Sequence, residues 1–362
     1  MQAADRYRRS PGAVIYWAGS QAVCFLWQSA ERIPISMEAA GLLQHLSEWT
    51  TVAEFRDRVA PGGDLDTVEE TIVLLHTLRL VEQEGEPTIG DRWSEWSPEA
   101  AFFHFATKNG NFPEDLGARD RELVEKAASD PQPSPSKHVD GPRLRLPSVP
   151  SSSSDLDRAL TQRRTWRRFA AEPVPAVALG TLLERTFGVS RRGTVAGQGP
   201  VIVRTSPSGG SRHPIEAYLL AWNVDGLKPG AYHYDSNTME LVDLGRSISS
   251  SDITPLVAHQ TYFAAAAAIV IMCPVFARTM WRYGHSRAYR TVLIDAGHLG
   301  QTFCLVATAL GLAPFTTMAF SESGLEEVLG LDGVSECPIY IAGVGMPDPA
   351  AGGSPGRADF TV

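Results

Sequence analysis

The stretch Thr205–Tyr218, TSPSGGSRHPIEAY, decides how the rest of the chain is interpreted. Gly209 and Gly210 lack Cβ atoms, so backbone N–H groups in this loop can approach a ligand closely. Pro214 is placed to begin a short helical turn, and the apolar run at 217–224 is typical of a buried strand. The pattern therefore predicts either a cofactor-binding loop at the edge of a sheet or an ordinary turn between two elements.

The composition is that of a globular chain long enough for two domains. It has 362 residues, of which 43% are apolar, and this content excludes global disorder. The net charge of −9 disfavours a nucleic-acid partner. The longest apolar run, 262–277, is interrupted by Pro274 and is too short to span a bilayer, so we expect no membrane segment.

The four cysteines are widely spaced and include no C-x-x-C pair. This spacing argues against a zinc site and a disulfide framework, and it favours a reducing cytoplasm. The chain has no H-E-x-x-H motif, no P-loop motif and no dinucleotide-binding glycine motif, so neither a metal site nor a nucleotide site of those kinds is predicted. We also expect no signal peptide, because no small-residue cleavage site follows the N-terminal apolar stretch.

Residues 1–95 predict a winged-helix-like domain. Two aromatic-rich apolar runs flank Gly19-Ser20, which predicts a hairpin. Three helical patterns follow, with an N-cap at Ser36 and capping boxes at Thr51-x-x-Glu54 and Asp66-x-x-Glu69. The region has 8 Lys or Arg and 15 Asp or Glu, a net charge of −7, and therefore lacks the clustered cations that DNA phosphates require. A peptide-docking module or a purely structural one is the predicted role.

The remainder is predicted to be a connecting segment followed by a larger domain. Residues 96–154 end in a Pro- and Ser-rich stretch that is typical of a linker or an extended arm. Residues 155–362 mix helices and strands without a regular βαβ repeat, which predicts the α+β class. The predicted elements include a hairpin at 230–243, a strand at 267–273 and a long apolar helix at 291–310.

Two features of the larger domain bear on chemistry or assembly. Arg163, Arg164 and Thr165 place two cations beside a hydroxyl, which suits a phosphate group, although a solvated basic helix end has the same composition. Gly297 and Gly300 on the long helix allow another element to approach closely, and we expect that element to be a partner subunit. His298, on the same apolar helix, predicts a structural histidine.

Five blocks, taken in order, resemble the nitroreductase superfamily and, within it, the SagB-type dehydrogenases of ribosomal peptide maturation. The blocks are RRTWRRF at 163–169, SPSGGSRHPIEAY at 206–218, RYGHSRAYR at 282–290, DAGHLGQ at 295–301 and ALGL at 309–312. The resemblance covers residues 155–346. It implies an obligate homodimer of nitroreductase-like α+β sandwich subunits, with FMN bound in both interface clefts.

The resemblance also implies cofactor-binding roles for named residues. The segment that holds the FMN phosphate and ribityl chain corresponds to Arg163, Arg164 and Thr165. The loop that reaches the flavin of the partner subunit corresponds to Pro207, Ser208, Gly209, Gly210 and Ser211. The turn beside the isoalloxazine ring corresponds to Thr316, Met318 and Ala319, and Arg357 is matched to a last phosphate contact.

The predicted catalytic residues are Tyr283 and Arg282. In the azoline oxidases of this group, a Lys-Tyr pair precedes the R-x-Y-R segment and handles protons, whereas this chain has Arg282-Tyr283 there. A guanidinium with a pKa above about 12 cannot serve as a general base near neutrality. It can stabilise a tyrosine phenolate or a developing substrate anion.

These implications predict an FMN-dependent dehydrogenase of the cytoplasm that oxidises a residue of a ribosomal precursor peptide. The favoured reaction converts an azoline to a thiazole or oxazole, and a cyclodehydratase or another maturation enzyme is an expected partner. Two alternatives stay open. One is an NAD(P)H-dependent nitro or quinone reductase, and the other is a non-catalytic scaffold that binds a precursor peptide for a partner enzyme.

Overall fold

A computed structural model describes residues 5–27, 29, 31–86, 90–96, 98–110, 112, 115–130, 134–135, 137, 141, 154–196 and 199–351. The chain divides into two compact units. The N-terminal unit comprises Met1–Lys108 and Phe276–Val292, and the sheet unit comprises Asn109–Val275 and Leu293–Val362. The predicted boundaries at 95 and 154 instead assign residues 276–292 to the larger domain.

The helices of the described residues are mostly short. In chain order they are α1 (Met37–Gln44), α2 (Val52–Val59), α3 (Leu65–Thr77), α4 (Glu99–Thr107), α5 (Leu116–Ser129), α6 (Asp155–Gln162), α7 (Ala176–Phe187), α8 (Ser250–Leu256), α9 (Tyr262–Ala265), α10 (Phe276–Met280), α11 (Tyr289–Ala309) and α12 (Glu322–Leu329). Short 3₁₀ turns lie at Gly90–Trp96, Gly209–Ser211, Ser286–Ala288 and Pro349–Ala351.

The strands belong to four antiparallel sheets among the described residues. In chain order they are β1 (Arg6–Arg9), β2 (Ala13–Ala18), β3 (Gln21–Leu26), β4 (Glu31–Pro34), β5 (Thr50–Thr51), β6 (Val81–Gln83), β7 (Phe169–Ala170), β8 (Arg191–Val195), β9 (Gly199–Val203), β10 (Ile215–Ala221), β11 (Gly230–Asp235), β12 (Glu240–Asp243), β13 (Ala268–Pro274), β14 (Ala313–Thr317) and β15 (Tyr340–Pro347).

In the N-terminal unit, helices α1–α3 pack on two small sheets with the orders β5-β1-β6 and β2-β3-β4. Their common core includes the buried side chains of Cys24, Leu43, Phe55 and Ile72. Ala18 pairs with Gln21, which confirms the predicted two-residue hairpin turn between β2 and β3. The winged-helix-like interpretation of this unit stays a prediction.

Two of the three predicted helix starts in this unit are confirmed. The Ser36 hydroxyl accepts a hydrogen bond from the Ala39 N–H at 3.1 Å, and Thr51 forms its capping box with Glu54. The predicted start of α3 at Asp66 is wrong. The N-cap is Asp64, because its carboxylate accepts from the N–H of Thr67 at 3.1 Å, so α3 begins two residues earlier than the capping-box pattern indicates.

The sheet unit is built on an antiparallel sheet with the order β12-β11-β10-β13-β15-β14, and β7 adds to β15. With its flanking helices, this sheet confirms the predicted α+β class. Strands β10 and β13 are buried along their full length and lie inside the sheet, each with a neighbouring strand on both sides. The helical turn predicted at Pro214 is wrong, since β10 begins at Ile215 and the short turn lies earlier, at Gly209–Ser211.

One core cluster of the sheet unit lies against one face of this sheet. Its largest buried side chains include Phe263, Phe315 and Phe320, which pack with Ile269 and Ile341 from the central strands. The three phenylalanines are among the largest fully buried side chains, and their burial stabilises the unit. The ring centroids of Phe263 and Phe315 lie 4.8 Å apart in an edge-to-face arrangement.

Helix α11 is the long apolar helix predicted from the sequence. Within the sheet unit it buries Ala296, Leu299, Phe303 and Ala307. A Cβ atom at Gly300 would lie 2.5 Å from the ring of Tyr340, so the close approach that this glycine permits is made by the same chain. Residues 286–309 are long and apolar enough to cross a membrane, but core helices pass the same test, and 44% of the most apolar window is buried.

Candidate functional site

The arginine segment 163–165 leaves helix α6 with its cations available. Arg163 takes extended backbone angles directly after the last residue of the helix, which confirms the predicted helix end. The guanidinium of Arg164 lies 3.9 Å from the ring centroid of Trp166. The backbone N–H of Trp166 donates to the carbonyl oxygen of Pro314 at 2.9 Å. Among the described residues, neither arginine forms an ion pair with a carboxylate. Both half-buried guanidiniums are therefore free to receive an anion beside β14.

Arg163 also lies beside helix α11. Burial raises the pKa of the Cys304 thiol to about 11, and the positive charge of Arg163 opposes that rise. Cys304 is on α11, so the arginine segment faces both this helix and strand β14.

The glycine loop 206–213 is fixed to helix α11 by Asp295. The Ser208 hydroxyl donates to one carboxylate oxygen of Asp295 at 2.6 Å, and the N–H of Gly209 donates to the other at 3.3 Å. The same Ser208 oxygen accepts from the backbone N–H of His213 at 2.8 Å. The hydroxyl of Ser208 is therefore engaged within the chain.

Two further contacts hold the loop along the same face of the helix. The hydroxyls of Ser206 and Thr302 lie 2.6 Å apart, and Nδ1 of His298 lies 3.3 Å from the carbonyl oxygen of Pro207. Asp295, His298 and Thr302 are spaced three and four residues apart, which places them on one side of the helix. The contact of His298 agrees with the structural role predicted for it.

The loop adopts unusual backbone angles. Gly210 has a φ of 59°, Ser211 a φ of 52° and His213 a φ of 43°. Left-handed conformations cost non-glycine residues of the order of 1 kcal/mol or more, and such strain concentrates at binding sites. The hydrogen bonds to Asp295 and to the N–H of His213 compensate for this cost.

Asp295 is a buried acid, with 4% of its surface exposed. Burial raises the pKa of its carboxyl above the usual range, while the hydrogen bonds from Ser208 and Gly209 and the charge of His298 oppose the rise. Asp295 belongs to the block DAGHLGQ, and its role was not predicted from the sequence. The available signal is a carboxylate on an otherwise apolar helix, where burial requires hydrogen-bond partners.

The turn after β14 lies at the same end of the sheet as the glycine loop. Ile215, the first residue of β10, pairs with Pro274 at the end of β13, and Thr317 at the end of β14 pairs with Ile341 near the start of β15. Because the strands are antiparallel, four strand termini lie at one end of the sheet: the start of β10, the end of β13, the start of β15 and the end of β14. The predicted residues Thr316 to Ala319 therefore lie at the same end of the sheet as the glycine loop.

This turn is held through its backbone and exposes one apolar side chain. The Ala319 N–H donates to the hydroxyl of Thr317 at 3.0 Å, and the amide of Gln260 donates to the Ala319 carbonyl oxygen at 3.1 Å. Thr316 is half-buried in the strand, whereas the side chain of Met318 is 66% exposed. An exposed methionine on a fixed turn suits contact with a planar apolar ligand.

Arg282 and Tyr283 belong to the N-terminal unit. The guanidinium carbon of Arg282 lies 5.5 Å from the centroid of the Tyr283 ring, so the structure brings these two predicted residues together. The Tyr283 N–H donates to the carbonyl oxygens of Thr279 and Met280 at 3.0 and 3.1 Å, and Tyr283 is half-buried. Arg357 lies outside the described residues.

Comparison with known proteins gives a family and several relatives. The nitroreductase family profile matches residues 160–346. MJ1384 of Methanocaldococcus jannaschii, which carries a nitroreductase name, is 27% identical over 56% of this chain and 95% of its own length. The trifolitoxin-processing protein TfxB of Rhizobium leguminosarum is 32% identical, but the match spans only 35% of each chain.

A solved structure shares the fold of this chain. The Escherichia coli microcin synthetase McbBCD complex with truncated pro-MccB17 bound contains a chain that superposes with a TM-score of 0.53 at 18% identity, covering 73% of this chain and 99% of that one. The nitroreductase-like fold predicted from the five sequence blocks is therefore confirmed. The predicted resemblance to the peptide-maturation enzymes of this superfamily is confirmed as well, because relatives include proteins named for trifolitoxin and microcin B17 processing.

Proposed function

The chain belongs to the nitroreductase family, and from this membership we propose that it is an FMN-dependent dehydrogenase that oxidises a residue of a ribosomally made peptide. The observation that carries the proposal is the position of the glycine loop. Asp295 fixes this loop at the same end of the sheet as the turn Thr316–Ala319. Such an end of the sheet combines a fixed glycine-containing loop with a turn that exposes one apolar side chain, which suits a planar flavin ring.

The cofactor we assign is FMN, and the residues present fit it. Its phosphate carries negative charge, and Arg163 and Arg164 are two half-buried cations with no carboxylate partner among the described residues. Thr165 adds a hydroxyl donor beside them. The turn Thr316 to Ala319 would contact the ring system, and the loop residues Pro207 to Ser211 would reach the flavin bound by the partner subunit. FMN, when bound, supplies a hydride acceptor at N5.

The favoured reaction is the oxidation of an azoline to a thiazole or oxazole. The substrate ring loses one C–H hydrogen as a hydride and a second hydrogen as a proton, and dioxygen is the proposed final electron acceptor. We assign proton removal to the Tyr283 phenol. The guanidinium carbon of Arg282 lies 5.5 Å from the centroid of that ring and places a positive charge beside it, and a guanidinium does not act as a base itself.

The N-terminal unit is proposed to dock the precursor peptide. Strand β2 is an edge of the sheet β2-β3-β4, and its Trp17 side chain is 61% exposed. An extended peptide can add to such an edge through backbone hydrogen bonds. The net charge of −7 over residues 1–95 favours a basic segment as the partner.

Assembly and location follow the same proposal. We propose a homodimer in which α11 contributes to the interface, because Ile294 is 57% exposed and, apart from its own helix, no described residue lies within 4 Å of a Cβ placed at Gly297. A cyclodehydratase or another maturation enzyme is the proposed further partner. The cytoplasm is the proposed compartment, since all four cysteines are buried as free thiols.

The experiment combines spectroscopy with mass measurement. The purified protein should show flavin absorbance and should remove two hydrogen atoms from a ribosomal peptide encoded nearby. Retention of all hydrogens by every such peptide, in a protein that binds FMN, would contradict the dehydrogenase proposal. A protein that stays colourless after soaking with FMN would instead support the scaffold alternative.

Reduction of nitro compounds or quinones with NAD(P)H is the second candidate, because the match to MJ1384 spans nearly all of a protein with a nitroreductase name. It predicts rapid NAD(P)H oxidation by the purified protein when a nitroaromatic or a quinone is added. The absence of that oxidation would eliminate it. Peptide dehydrogenation without NAD(P)H consumption distinguishes the two candidates.

A further inference from the structure

A buried aromatic cluster connects residues 93–104 to residues 276–289 within the N-terminal unit. We call it the anchor cluster, and its members are Trp93, Trp96, His104, Phe276 and Tyr289. All five are at most 7% exposed, and both tryptophans are fully buried. The ring centroid of Trp93 lies 4.7 Å from that of Phe276 and 5.1 Å from that of His104. Burial of rings of this size makes the cluster a major source of stability for the unit.

The segment 276–292 lies within the sequence range matched by the nitroreductase family but packs with residues 1–108. It carries Arg282 and Tyr283. The backbone that carries these two residues therefore packs with residues that precede the family domain in the sequence.

Trp96 contacts the backbone of Tyr283 directly. Its indole N–H donates to the carbonyl oxygen of Tyr283 at 2.8 Å, and the same oxygen accepts from the N–H of His285 at 2.9 Å. The Trp96 ring is fully buried, so the position of its N–H is fixed by packing on the cluster. A rigid donor of this kind restricts where the Tyr283 peptide can lie.

Ser286 completes the connection three residues after Tyr283. Its hydroxyl lies 2.9 Å from the carbonyl oxygen of Trp96 and 2.7 Å from a carboxylate oxygen of Glu99. Farther along, Nδ1 of His104 lies 2.9 Å from the hydroxyl of Tyr289 in a buried contact. Hydrogen bonds therefore tie the segment to the N-terminal part of the unit at Tyr283, at Ser286 and at Tyr289.

We propose that Trp96 is a positioning residue for Tyr283, so that the stretch from Trp93 to His104 serves the reaction. This inference rests on the proposed function, because it assigns Trp96 the orientation of the group that removes the proton. Misplacing a reacting group by about 1 Å costs about 10²-fold in rate. Trp96→Phe keeps the buried aromatic ring but removes the N–H, so we expect turnover to fall about 10-fold to 100-fold.

The first arm of the test needs no substrate. Hydrogen exchange is measured at the amides of residues 283–286 in the full-length protein, wild type and Trp96→Phe. We expect exchange in the variant to be about 10-fold faster, because about 1.4 kcal/mol of lost restraint corresponds to that factor. The matched control is Trp27→Phe, because Trp27 is 1% exposed and its indole nitrogen has no hydrogen-bond partner among the described residues. Unchanged exchange in Trp96→Phe would overturn the inference.

The second arm separates the inference from the proposed function. Turnover of a synthetic peptide that carries one thiazoline is measured for Tyr283→Phe, for Trp96→Phe and for the double variant. If Trp96 acts through Tyr283, each single variant is slow and the double variant is no slower than Tyr283→Phe. KM should change less than kcat, and flavin absorbance should be retained.

Each remaining outcome has a definite meaning. Additive losses in the double variant would overturn the positioning role even if Tyr283 is catalytic. Full activity of Tyr283→Phe, or no turnover by the wild type, would refute the proposed chemistry, while the exchange result would still decide whether Trp96 anchors the segment. If Trp96→Phe does not fold, Ser286→Ala removes a half-buried hydroxyl from the same connection and should give the same exchange result.

Discussion

Acidification from pH 7 to pH 5 is expected to destabilise the N-terminal unit through His104. This imidazole is 4% exposed, it stacks on Trp93, and Nδ1 lies 2.9 Å from the hydroxyl of Tyr289. Burial, helped by the charge of Lys108, lowers the pKa of His104 from 6.5 to about 3. The folded unit therefore holds the ring neutral at a pH where the unfolded chain protonates it.

The sign and size of the effect follow from this difference. A lowered pKa contributes stability that is fully present above the unfolded value of 6.5 and is lost as the pH falls toward the folded value of about 3. Within that window, each unit by which the pH falls lowers the free energy of unfolding by about 1.4 kcal/mol. Between pH 7 and pH 5, His104 should therefore remove about 2 kcal/mol from the free energy of unfolding.

The assay is urea unfolding of the wild type and of His104→Asn at both pH values, followed by tryptophan fluorescence. Asparagine does not titrate and can still hydrogen-bond the hydroxyl of Tyr289. The variant should be less stable at pH 7, since it loses ring packing, but its further loss on acidification should be smaller than that of the wild type by about 2 kcal/mol. Equal losses on acidification in the two proteins would refute the reasoning.

Three further predictions concern the candidate site. Asp295→Ala should weaken FMN binding about 10-fold in a fluorescence titration, because it removes charge-assisted hydrogen bonds that fix the glycine loop. Asp295→Asn should preserve most of the affinity. Equal losses of affinity in the two variants would contradict the role given to the loop. Because the pKa of Asp295 is raised, its contribution to stability is present at low pH and is lost as the pH rises through the folded pKa, so the melting temperature of Asp295→Asn relative to wild type should increase across that window. Arg163→Ala should weaken FMN binding about 10-fold to 100-fold. The control is Arg191→Ala, which removes an exposed cation on β8 and should not change the FMN affinity. Similar losses of affinity in both variants would indicate a general effect of lost positive charge.

Much of the sheet unit could be predicted from apolar patterning. The strand predicted at 267–273 is observed at Ala268–Pro274, and the helix predicted at 291–310 at Tyr289–Ala309. Both elements are long or fully buried, so their apolar runs have little competition from polar residues. Element ends were less accurate. Asp64 and Asp66 both offer a carboxylate to the first turn of α3, and the sequence pattern does not decide between them.

The chemistry of the loop was only partly accessible from sequence. The motif around Gly209 and Gly210 indicated a backbone site. The role of Asp295 in fixing the loop depends on its hydrogen bonds to Ser208 and Gly209, which precede it by 87 and 86 positions in the sequence. The assignment of residues 276–292 to the N-terminal unit was inaccessible for the same reason. It rests on contacts such as the one between Trp96 and Tyr283, which are 187 positions apart, and no local propensity encodes such a pairing.

The measurement that tests the central claim most directly is the mass of a precursor peptide before and after incubation with the purified, FMN-loaded protein in air. Each ribosomal peptide encoded nearby is tested with and without prior cyclodehydration. We expect that a cyclised peptide loses two hydrogen atoms per oxidised ring and that Tyr283→Phe slows this loss while the flavin stays bound. Unchanged mass of every cyclised peptide, with flavin that no peptide reduces under anaerobic conditions, would contradict it.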